Sequence, residues 1–392
     1  MNVLAKELDA LLEQDVSDVL VRQRAYWHSA TKLTGDNIVL FGAGALGRHT
    51  FAGMRKAGMV PLAFADNGEA VQGTEIDGIP VISPEDAVAK YGTTAAFVIA
   101  TYNTSKPREQ LSNLGAVTVV HFAWLFASRP EAFLPHVCLE LPHPIFEQKE
   151  DVRRGFELMA DEEMRRLYLA QLRWRLFLDF DRALTSQTPA MRNSEYFPDD
   201  LYSFLPNEVL VDCGAFQGDT VQRFLAKQGD SFARIYACEP DSDNRKHLEE
   251  WLSSLPGATH EKIIVEPVAV GAERGKARFT SGGDVRSLLT SDGTLEVNVA
   301  TIDEITRVTP PTLIKMDIEG AELDALSGAR HSIEKYAPVL AICVYHTSDH
   351  LWRVPLLIAS LSSRYRFYLR AHAEDCWDAT CYAIPIERAL RK

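Results

Sequence analysis

Two segments of the chain repeat the same order of a short apolar strand, a glycine-rich turn and a helix. Residues 37–41 run into the turn at 42–47, and residues 209–212 run into the turn at 214–218. Further apolar strands alternate with helical stretches after each turn, and this alternation is typical of parallel βαβ units. We therefore predict an α/β chain with two Rossmann-like doubly wound sheets in series, joined by a helical region.

The spacing of apolar residues divides the chain into four parts. Residues 1–35 show helical spacing, and residues 36–126 carry the first α/β series. Residues 127–205 begin with several prolines and continue into an arginine-rich helix predicted over residues 161–184, so we interpret them as a helical linker or cap. Residues 206–392 hold the second α/β series, in which residues 263–270 are one of the predicted strands. The arginine-rich helix is also a candidate surface for oligomerisation.

Composition excludes several classes of protein. The chain carries 41 Lys+Arg against 54 Asp+Glu, a formal net charge of −13, whereas neutralising nucleic-acid phosphates needs clustered basic residues. Its apolar runs are shorter than the ~18–20 residues of a membrane span, and its first residues lack the pattern of a secretory signal. The six cysteines form no Cys-x-x-Cys pair. We expect a cytoplasmic protein with no nucleic-acid partner and no membrane span.

The second glycine turn is acidic and is followed by another acid at the next strand end. Asp212 and Asp219 flank Gly214 and Gly218, and no Lys-Ser/Thr pair follows. Such a turn is poorly suited to phosphates, which favour an unobstructed helix N-terminus and positive charge. Glu239 closes the following strand, where an acid can accept both hydroxyls of a ribose. These features favour S-adenosylmethionine over NAD, although any βα turn could show the glycines alone.

A third charged segment follows a later strand. Residues 312–322 place Lys315, Asp317, Glu319 and Glu322 near another strand end. Burying such charges is costly unless they are paired, hydrogen-bonded or functional. An ion pair and a helix N-terminus that favours acids would explain part of the pattern. His346 ends the next buried strand and is a candidate for proton transfer or metal ligation.

Five motifs in order carry a family resemblance. They are V-D-C-G-A-F-Q-G-D-T at 211–220, A-C-E-P-D at 237–241, V-A-T-I-D-E at 299–304, I-K-M-D-I-E-G-A-E at 314–322 and V-Y-H at 344–346. With them, residues 205–385 resemble the FkbM family of S-adenosylmethionine-dependent methyltransferases. The resemblance implies a class I methyltransferase fold for the second sheet. It also implies O-methylation, often of sugar hydroxyls in polysaccharides and natural products.

The resemblance also implies roles for individual residues. Asp212, Gly214 and Gly218 would hold the methionine part of the cofactor, Glu239 would take the ribose, and residues 268–270 would border the adenine. The full set of predicted cofactor-binding residues is Asp212, Gly214, Ala215, Gly218, Asp219, Glu239, Pro240, Ala269 and Tyr196. The predicted catalytic residues are Lys315, Asp317, Glu319 and His346.

Methylation of a hydroxyl needs alignment and removal of one proton. Either His346 or Asp317 would act as the base, or a divalent cation would polarise the hydroxyl. If a metal is present, its expected ligands are Asp317, Glu319 and Asp303, because hard cations take oxygen ligands. The glycine-rich residues 281–286 are either a mobile substrate loop or a surface hairpin.

The first glycine turn matches the dinucleotide fingerprint G-x-G-x-x-G. Gly42, Gly44 and Gly47 follow a strand and precede a helix, and Asp66 ends the second strand. This turn carries no acid, so it can receive phosphate. Residues 64–67 and 78–84 resemble the nucleotide-binding N-terminal domain of sugar acyltransferases. We predict a nucleotide or nucleotide-sugar site there, with a purely structural domain as the alternative.

Three functions remain in competition. The first is an O-methyltransferase that acts on a sugar, polysaccharide or glycosylated metabolite. The second is an NAD(P)-dependent oxidoreductase that uses the first glycine turn, although residues 70–125 show no evident hydride-transfer site. The third is a non-catalytic protein that keeps the cofactor site without turnover.

Overall fold

A computed structural model describes residues 3–179, 194–280, 288–289, 295–373 and 377–390. The chain forms two compact units. The first comprises residues 1–149, 169–185 and 373–377, and the second comprises residues 150–168, 186–372 and 378–392. The region that we interpret as a linker is thus divided between the units, since residues 150–168 belong to the second and 169–185 to the first.

The first unit is built on a six-stranded sheet in the order β3-β4-β2-β1-β5-β6. All neighbouring strands run parallel except β3 and β4. Every residue of β1 and β5 is buried, as expected for central parallel strands covered on both faces. The strands are β1 Ile38–Phe41, β2 Ala63–Ala65, β3 Glu75–Ile76, β4 Ile79–Ile82, β5 Ala96–Ile99 and β6 Thr118–His121.

Two N-terminal helices precede this sheet, and further helices connect and follow its strands. The predicted helical segment 1–35 is broken after Leu12, and Asp15 caps the second helix by accepting a hydrogen bond from the Ser17 amide at 2.7 Å. The helices up to the first unit boundary are Val3–Leu12, Val16–Ala30, Ala45–Lys56, Pro84–Tyr91, Ser105–Leu114, Phe122–Ser128, Pro130–Phe133 and His143–Glu147.

Two helices cross the boundaries between the units. They are Lys149–Leu158 and Glu162–Phe177. The second corresponds to the predicted arginine-rich helix over 161–184. It ends earlier than predicted, and Leu178 follows it with a left-handed φ of 49°. Residues 180–184 lie outside the described part of the chain.

The second unit is built on a seven-stranded sheet in the order β16-β17-β15-β14-β7-β8-β9. The strands from β15 to β9 run parallel, and β16 and β17 form an antiparallel hairpin at one edge. All residues of β7, β14 and β15 are buried. The strands are β7 Glu208–Cys213, β8 Phe232–Cys238, β9 Ile263–Glu266, β14 Leu313–Met316, β15 Val339–Cys343, β16 Tyr365–Ala371 and β17 Ala379–Pro385.

A four-stranded sheet and several helices complete the second unit. The small sheet has the order β10-β13-β11-β12, with β10 Ala269–Val270, β11 Gly275–Thr280, β12 Leu288–Leu289 and β13 Leu295–Ala300. The helices are Asp219–Gln228, Ser242–Leu252, Gly257–His260, Ile302–Ile305, Glu322–Ser327, Arg330–Tyr336 and His350–Leu361.

One predicted strand, residues 263–270, is two strands in the structure. Ile263–Glu266 pairs with β8 in the large sheet, and Ala269–Val270 pairs with β13 in the small sheet. Pro267 lies between them and has no backbone N–H to donate to a ladder. The chain therefore leaves the large sheet at Pro267 and enters the small sheet at Ala269.

The two large sheets share a glycine arrangement where the strand order reverses. Gly42 after β1 has φ 107°, and a Cβ there would lie 3.0 Å from the carbonyl oxygen of Ala100, which follows β5. Gly214 after β7 has φ 78°, and its Cβ would lie 2.1 Å from the carbonyl oxygen of Asp317, which follows β14. Crevices at such switch points are where doubly wound sheets bind ligands.

The first glycine turn yields a stability prediction. A Cβ on Gly47 would lie 1.9 Å from the carbonyl oxygen of Gly42, so Gly47→Ala forces the helix away from the strand. We expect a loss of about 1–3 kcal/mol in the free energy of unfolding, measured by chemical denaturation. Gly44→Ala is the matched control, since its Cβ would meet nothing within 4 Å. Equal denaturation midpoints for the two variants would contradict the packing argument.

Candidate active site

A cavity of about 670 Å³ lies at the carboxyl ends of β7, β8 and β14 in the second unit. One side is formed by the glycine turn and by Glu239 and Pro240, and another by residues 268–270. The segment after β14 contributes Asp317 and Glu319. The cavity therefore brings the second glycine turn and the third charged segment together, as their positions at strand ends predict.

Glu239 is held in the cavity wall by two backbone amides. Its Oε2 accepts a hydrogen bond from the Phe216 N–H at 2.8 Å, and its Oε1 accepts one from the Asp241 N–H at 2.9 Å. Burial raises the pKa of Glu239 above its usual value, against the lowering effect of these amides. Because a carboxylate has about four acceptor sites, and the two amides and the Asn244 side chain use three of them, acceptor capacity remains for a ligand.

The glycine turn itself is occupied by internal hydrogen bonds. The amides of Gly214 and Ala215 both donate to the carbonyl of Cys238 at 3.0 Å, and the Gly218 amide donates to the carbonyl of Ala215 at 2.8 Å. These amides therefore form hydrogen bonds within the protein and are not available to bind a phosphate.

Asp212 lies beneath the cavity rather than in its wall. The parallel register of β7 and β14 pairs Asp212 with Lys315, and their side chains form an ion pair of 3.1 Å with exposures of 0% and 2%. Burial raises the pKa of Asp212 to about 6, although Lys315 opposes the shift. The prediction that Asp212 directly holds the methionine part is corrected, because a fully buried carboxylate offers no surface to a ligand.

Lys315 was predicted to be catalytic, but its ammonium group forms an ion pair and a hydrogen bond within the protein. It donates to the carbonyl of Gly214 at 2.8 Å and lies 5.1 Å from the centroid of the Tyr196 ring. Burial alone would lower the pKa of Lys315, but the carboxylates of Asp212 and Asp317 raise it. The side chain therefore stays charged, so it cannot accept a proton from a substrate.

Tyr196 enters the cavity from the segment that precedes β7. Its backbone has a left-handed φ of 64°, which is strained for a bulky residue. The Tyr196 amide donates to the Tyr382 hydroxyl at 2.9 Å, and the Tyr202 hydroxyl donates to the Tyr196 carbonyl at 3.1 Å. These contacts aim the Tyr196 hydroxyl at Asp317 Oδ2, 2.8 Å away.

Asp317 receives three polar contacts and still faces the cavity. Besides Tyr196, the Tyr345 hydroxyl donates to Oδ1 at 3.1 Å, and His346 Nε2 lies 3.1 Å from the same oxygen. Its side chain remains 24% exposed. Burial would raise the pKa of Asp317, but the hydrogen bond and charge of His346, together with Lys315, hold it well below its usual range. Asp317 is therefore an ionised, oriented carboxylate.

His346 lies behind Asp317 with only 3% of its side chain exposed. Its Nδ1 is 2.7 Å from Glu322 Oε1, and its Nε2 is 3.7 Å from Glu319 Oε2. Burial would lower the pKa of His346, but Glu322 and Asp317 raise it well above the ordinary value. The imidazole is thus held in the protonated form.

The expected metal ligands do not come together. Asp303 accepts hydrogen bonds from the amides of His331 and Ser332, each at 2.8 Å, and from the Ser332 hydroxyl at 2.6 Å. Its carboxylate thus binds the start of the helix Arg330–Tyr336 instead of facing Asp317. Among the described residues, no group of three or more His, Cys, Asp or Glu side chains is arranged to hold a metal ion.

The predicted residues fall into two groups. Those in the cavity wall are Tyr196, Gly214, Asp219, Glu239, Pro240, Ala269, Lys315, Asp317 and Glu319. Within the described residues, Asp212, Ala215, Gly218 and His346 lie outside the wall. Ala215 is fully buried, and Gly218 has φ 91° and packs under the Trp251 ring. Residues 281–286 lie outside the described part of the chain.

Sequence reasoning missed several residues of the site. Phe216, Gln217, Asn244 and Trp251 line the cavity, and Tyr345 bonds to Asp317. Phe216 and Gln217 lie inside the recognised glycine motif, so their position could have indicated them. Asn244 and Trp251 lie on the helix Ser242–Leu252, whose face toward the cavity is set by packing.

The first sheet repeats part of this geometry in the first unit. Asp66 Oδ2 accepts a hydrogen bond from the Ala43 amide at 2.7 Å, and Oδ1 accepts one from the Gly68 amide at 2.7 Å. Gly44 is exposed and has open space around it. The helix Ala45–Lys56 begins directly after it, and the first amides of a helix have no acceptor within the helix.

Comparison with known proteins finds one similarity within the second unit and one over nearly the whole chain. Residues 212–373 match the family model of the methyltransferase FkbM domain. The crystal structure of a methyltransferase FkbM from Methylobacillus flagellatus KT is similar over 97% of this chain and 99% of that one, with 22% identity and a TM-score of 0.74. An rRNA methylase from Streptococcus thermophilus shares 14% identity over 50% of this chain and 92% of its own, with a TM-score of 0.30. No curated protein sequence matches.

Residues 212–373 therefore match a methyltransferase FkbM domain, and the solved structure shares the fold of the chain. The predicted fold class is confirmed, with two doubly wound sheets in series and a class I methyltransferase fold in the second. The predicted methyltransferase activity class is likewise supported by the family match. Within the described residues, no helix is both long and apolar enough to cross a membrane.

The buried ion pair yields a second stability prediction. Lys315→Met leaves Asp212 as an uncompensated buried charge, and we expect a loss of about 3–5 kcal/mol in the free energy of unfolding. The double variant Lys315→Met/Asp212→Asn should recover part of this loss. Lys276→Met, which removes an exposed pair with Glu296, is the control and should leave the denaturation midpoint unchanged. A Lys315→Met midpoint equal to that of the control would refute the proposed role of the pair.

Proposed function

We propose that this protein is an S-adenosylmethionine-dependent O-methyltransferase that acts on a hydroxyl of a sugar, polysaccharide or glycosylated metabolite. The observation that carries the proposal is the presence of Glu239 and Asp317 in one cavity, at the ends of β8 and β14. Glu239 suits a ribose, and Asp317 suits a hydroxyl that must lose its proton.

The site residues fit the cofactor by their hydrogen-bonding capacity. Glu239 keeps free acceptor positions in the wall, whereas the turn amides of Gly214 and Ala215 are already bonded to Cys238. The acidic side chains of Asp219, Glu239 and Asp317 favour a ligand with cationic groups over one with phosphates. When bound, S-adenosylmethionine supplies a methyl group on a positively charged sulfur, and the sulfide is the leaving group.

Asp317, rather than His346, is the proton acceptor in this proposal. His346 is held protonated by Glu322 and Asp317, so it has no free lone pair for the hydroxyl proton. A sugar hydroxyl is far too weak an acid to lose its proton to Asp317 beforehand. As the oxygen bonds to the methyl carbon, however, the hydroxyl becomes strongly acidic, and a weakly basic carboxylate then suffices. The proton moves to Asp317 late in the reaction, and a positioned base of this kind contributes typically 10²–10⁴-fold.

A neutral acceptor suits the charges around Asp317. Glu319 lies beside it in the cavity wall. Lys315 forms an ion pair with Asp212 and donates a hydrogen bond to the carbonyl of Gly214. An acceptor with a phosphate or carboxylate at its reacting end would meet repulsion from these acids. A sugar hydroxyl brings no such charge, and this agrees with the family resemblance.

The ribose role of Glu239 is tested by cofactor affinity. Glu239→Gln removes the charge but keeps the shape, and we expect S-adenosylhomocysteine to bind about 10–100-fold more weakly, because hydrogen bonds to charged groups contribute about 1.5–3 kcal/mol. Calorimetric titration measures the change. Glu249→Gln, on an exposed position of the helix that follows, is the control. Equal affinities for the two variants would remove the ribose assignment.

The role of Asp317 is tested by turnover. Asp317→Asn should lower kcat by about 10²–10⁴-fold, because the amide cannot accept the hydroxyl proton, while the affinity for S-adenosylhomocysteine stays within a few-fold. Transfer of a radiolabelled methyl group to a panel of mono- and oligosaccharides provides the measurement. If an acceptor is methylated as fast by Asp317→Asn as by the unsubstituted protein, Asp317 is not the base.

We also propose a nucleotide or nucleotide-sugar site at the first glycine turn. Support comes from the exposed Gly44 at the start of the helix Ala45–Lys56 and from Asp66 beside the turn. Thermal unfolding with UDP-sugars, NADH and S-adenosylhomocysteine in parallel separates the outcomes, since a ligand at 100 times its Kd stabilises by about 2.7 kcal/mol. Stabilisation by UDP-sugars supports this site, and stabilisation by NADH alone would favour an oxidoreductase.

A further inference from the structure

Glu322 is a fully buried carboxylate that contacts three different segments of the second unit. Its side chain has 0% exposure, and it is the first residue of the short helix Glu322–Ser327. An acid at a helix N-terminus is ordinarily stabilised by the helix dipole at the surface. That explanation does not account for Glu322, because its oxygens face two histidines and a backbone amide instead of solvent.

The first contact holds the turn that carries Asp317 and Glu319. Glu322 Oε1 accepts a hydrogen bond from the Ile318 amide at 3.0 Å. The next two residues, Glu319 and Gly320, have left-handed φ values of 56° and 105°. A non-glycine residue in this conformation is strained and persists where the surroundings hold it. Glu322 thus fixes the turn whose acids face the cavity.

The second contact orients the imidazole of His346. Glu322 Oε1 is 2.7 Å from Nδ1, and Asp317 Oδ1 is 3.1 Å from Nε2 on the opposite side of the ring. The third contact is with His350, whose Nδ1 lies 3.2 Å from Glu322 Oε2. One carboxylate therefore joins the turn after β14, the segment after β15 and the start of the helix His350–Leu361.

The charges that face His346 come from several elements. They are Asp317 and Glu319 on the turn after β14, Glu322 on its helix, Asp378 before β17 and, through Asp317, Lys315 on β14. The Tyr345 ring lies 4.2 Å from the imidazole between centroids and carries no charge. Glu322 makes the shortest of the carboxylate contacts to His346 and is the most deeply buried of these acids.

We propose that Glu322 is a positioning residue for the methyl-transfer site: it holds the His346 imidazole beside Asp317, with Nε2 3.1 Å from Oδ1, and it holds the Asp317–Glu319 turn against the cavity. This inference rests on the proposed function for its catalytic meaning. Glu322 itself does not touch the cavity, so it acts through His346 and the turn. The chemical consequence is that Asp317 presents one defined face to an acceptor hydroxyl.

The test is Glu322→Gln, which keeps the shape and one oxygen for the Ile318 amide but removes the charge. Nuclear magnetic resonance of protein labelled with ¹⁵N-histidine reports the protonation of each imidazole ring. The signal of His346 among the 11 histidines is assigned from its loss in the His346→Asn variant. In the unsubstituted protein we expect both ring nitrogens of His346 to stay protonated at pH 7. In Glu322→Gln the His346 titration midpoint should fall by at least about one pH unit, because the charge of Glu322 is lost while Oε1 can still accept from Nδ1–H.

Glu334→Gln is the matched control, because Glu334 forms an exposed pair with Arg330 on a neighbouring helix and should leave the His346 signal unchanged. An unprotonated His346 in the unsubstituted protein would overturn the proposal without any variant. The proposal can therefore be tested even if the Glu322→Gln protein fails to fold. An identical His346 titration in Glu322→Gln would overturn it as well.

A binding measurement separates this inference from the proposed function. Glu322→Gln should bind S-adenosylhomocysteine within about threefold of the unsubstituted protein, since Glu322 does not line the cavity. Kcat toward any methylated acceptor should fall at least about tenfold. Failure of the unsubstituted protein to bind S-adenosylhomocysteine would refute the proposed function, whereas intact binding with unchanged kcat would refute only the role of Glu322.

Discussion

The buried ammonium of Lys315 connects the parts of the site that the chain brings from separate segments. It pairs with Asp212 on β7, donates to the carbonyl of Gly214 in the turn and lies against the Tyr196 ring. Asp212 and Lys315 would each be costly to bury alone, but their parallel register places them side by side. The pair therefore fixes the second glycine turn relative to the strand that leads into Asp317.

The two large sheets share one local arrangement of a glycine and an acid, but the turns that follow differ in charge. In each, a positive-φ glycine approaches the carbonyl at the end of the neighbouring strand, and an acid after the second strand accepts a turn amide. In the second sheet the turn continues into Asp219, which makes the crevice acidic. In the first sheet it continues into an exposed, acid-free helix start at Gly44. The same backbone frame thus leads to an acidic crevice in one unit and to an acid-free helix start in the other.

The sequence could predict the strand ends but not the partners of each charge there. Asp317 was recognised as a site residue, while Tyr345 and the deep contacts of Glu322 were not. The reason is that Tyr196, Tyr345 and His346 reach Asp317 from three separate segments, and their mutual geometry depends on packing. Asp303 shows the opposite case, since an acid in a family-like motif is used to bind the amides of His331 and Ser332.

Local sequence patterns are enough to predict the two α/β series, the glycine turns and the acids at strand ends, because these follow from periodicity and from the conformations that glycine permits. Which acids face the cavity and which are buried beneath it depends on tertiary packing. Strand register paired Asp212 with Lys315, and the change of sheet at Pro267 placed Ala269 in the cavity wall. Register and packing join residues far apart in the chain, so no local pattern encodes them.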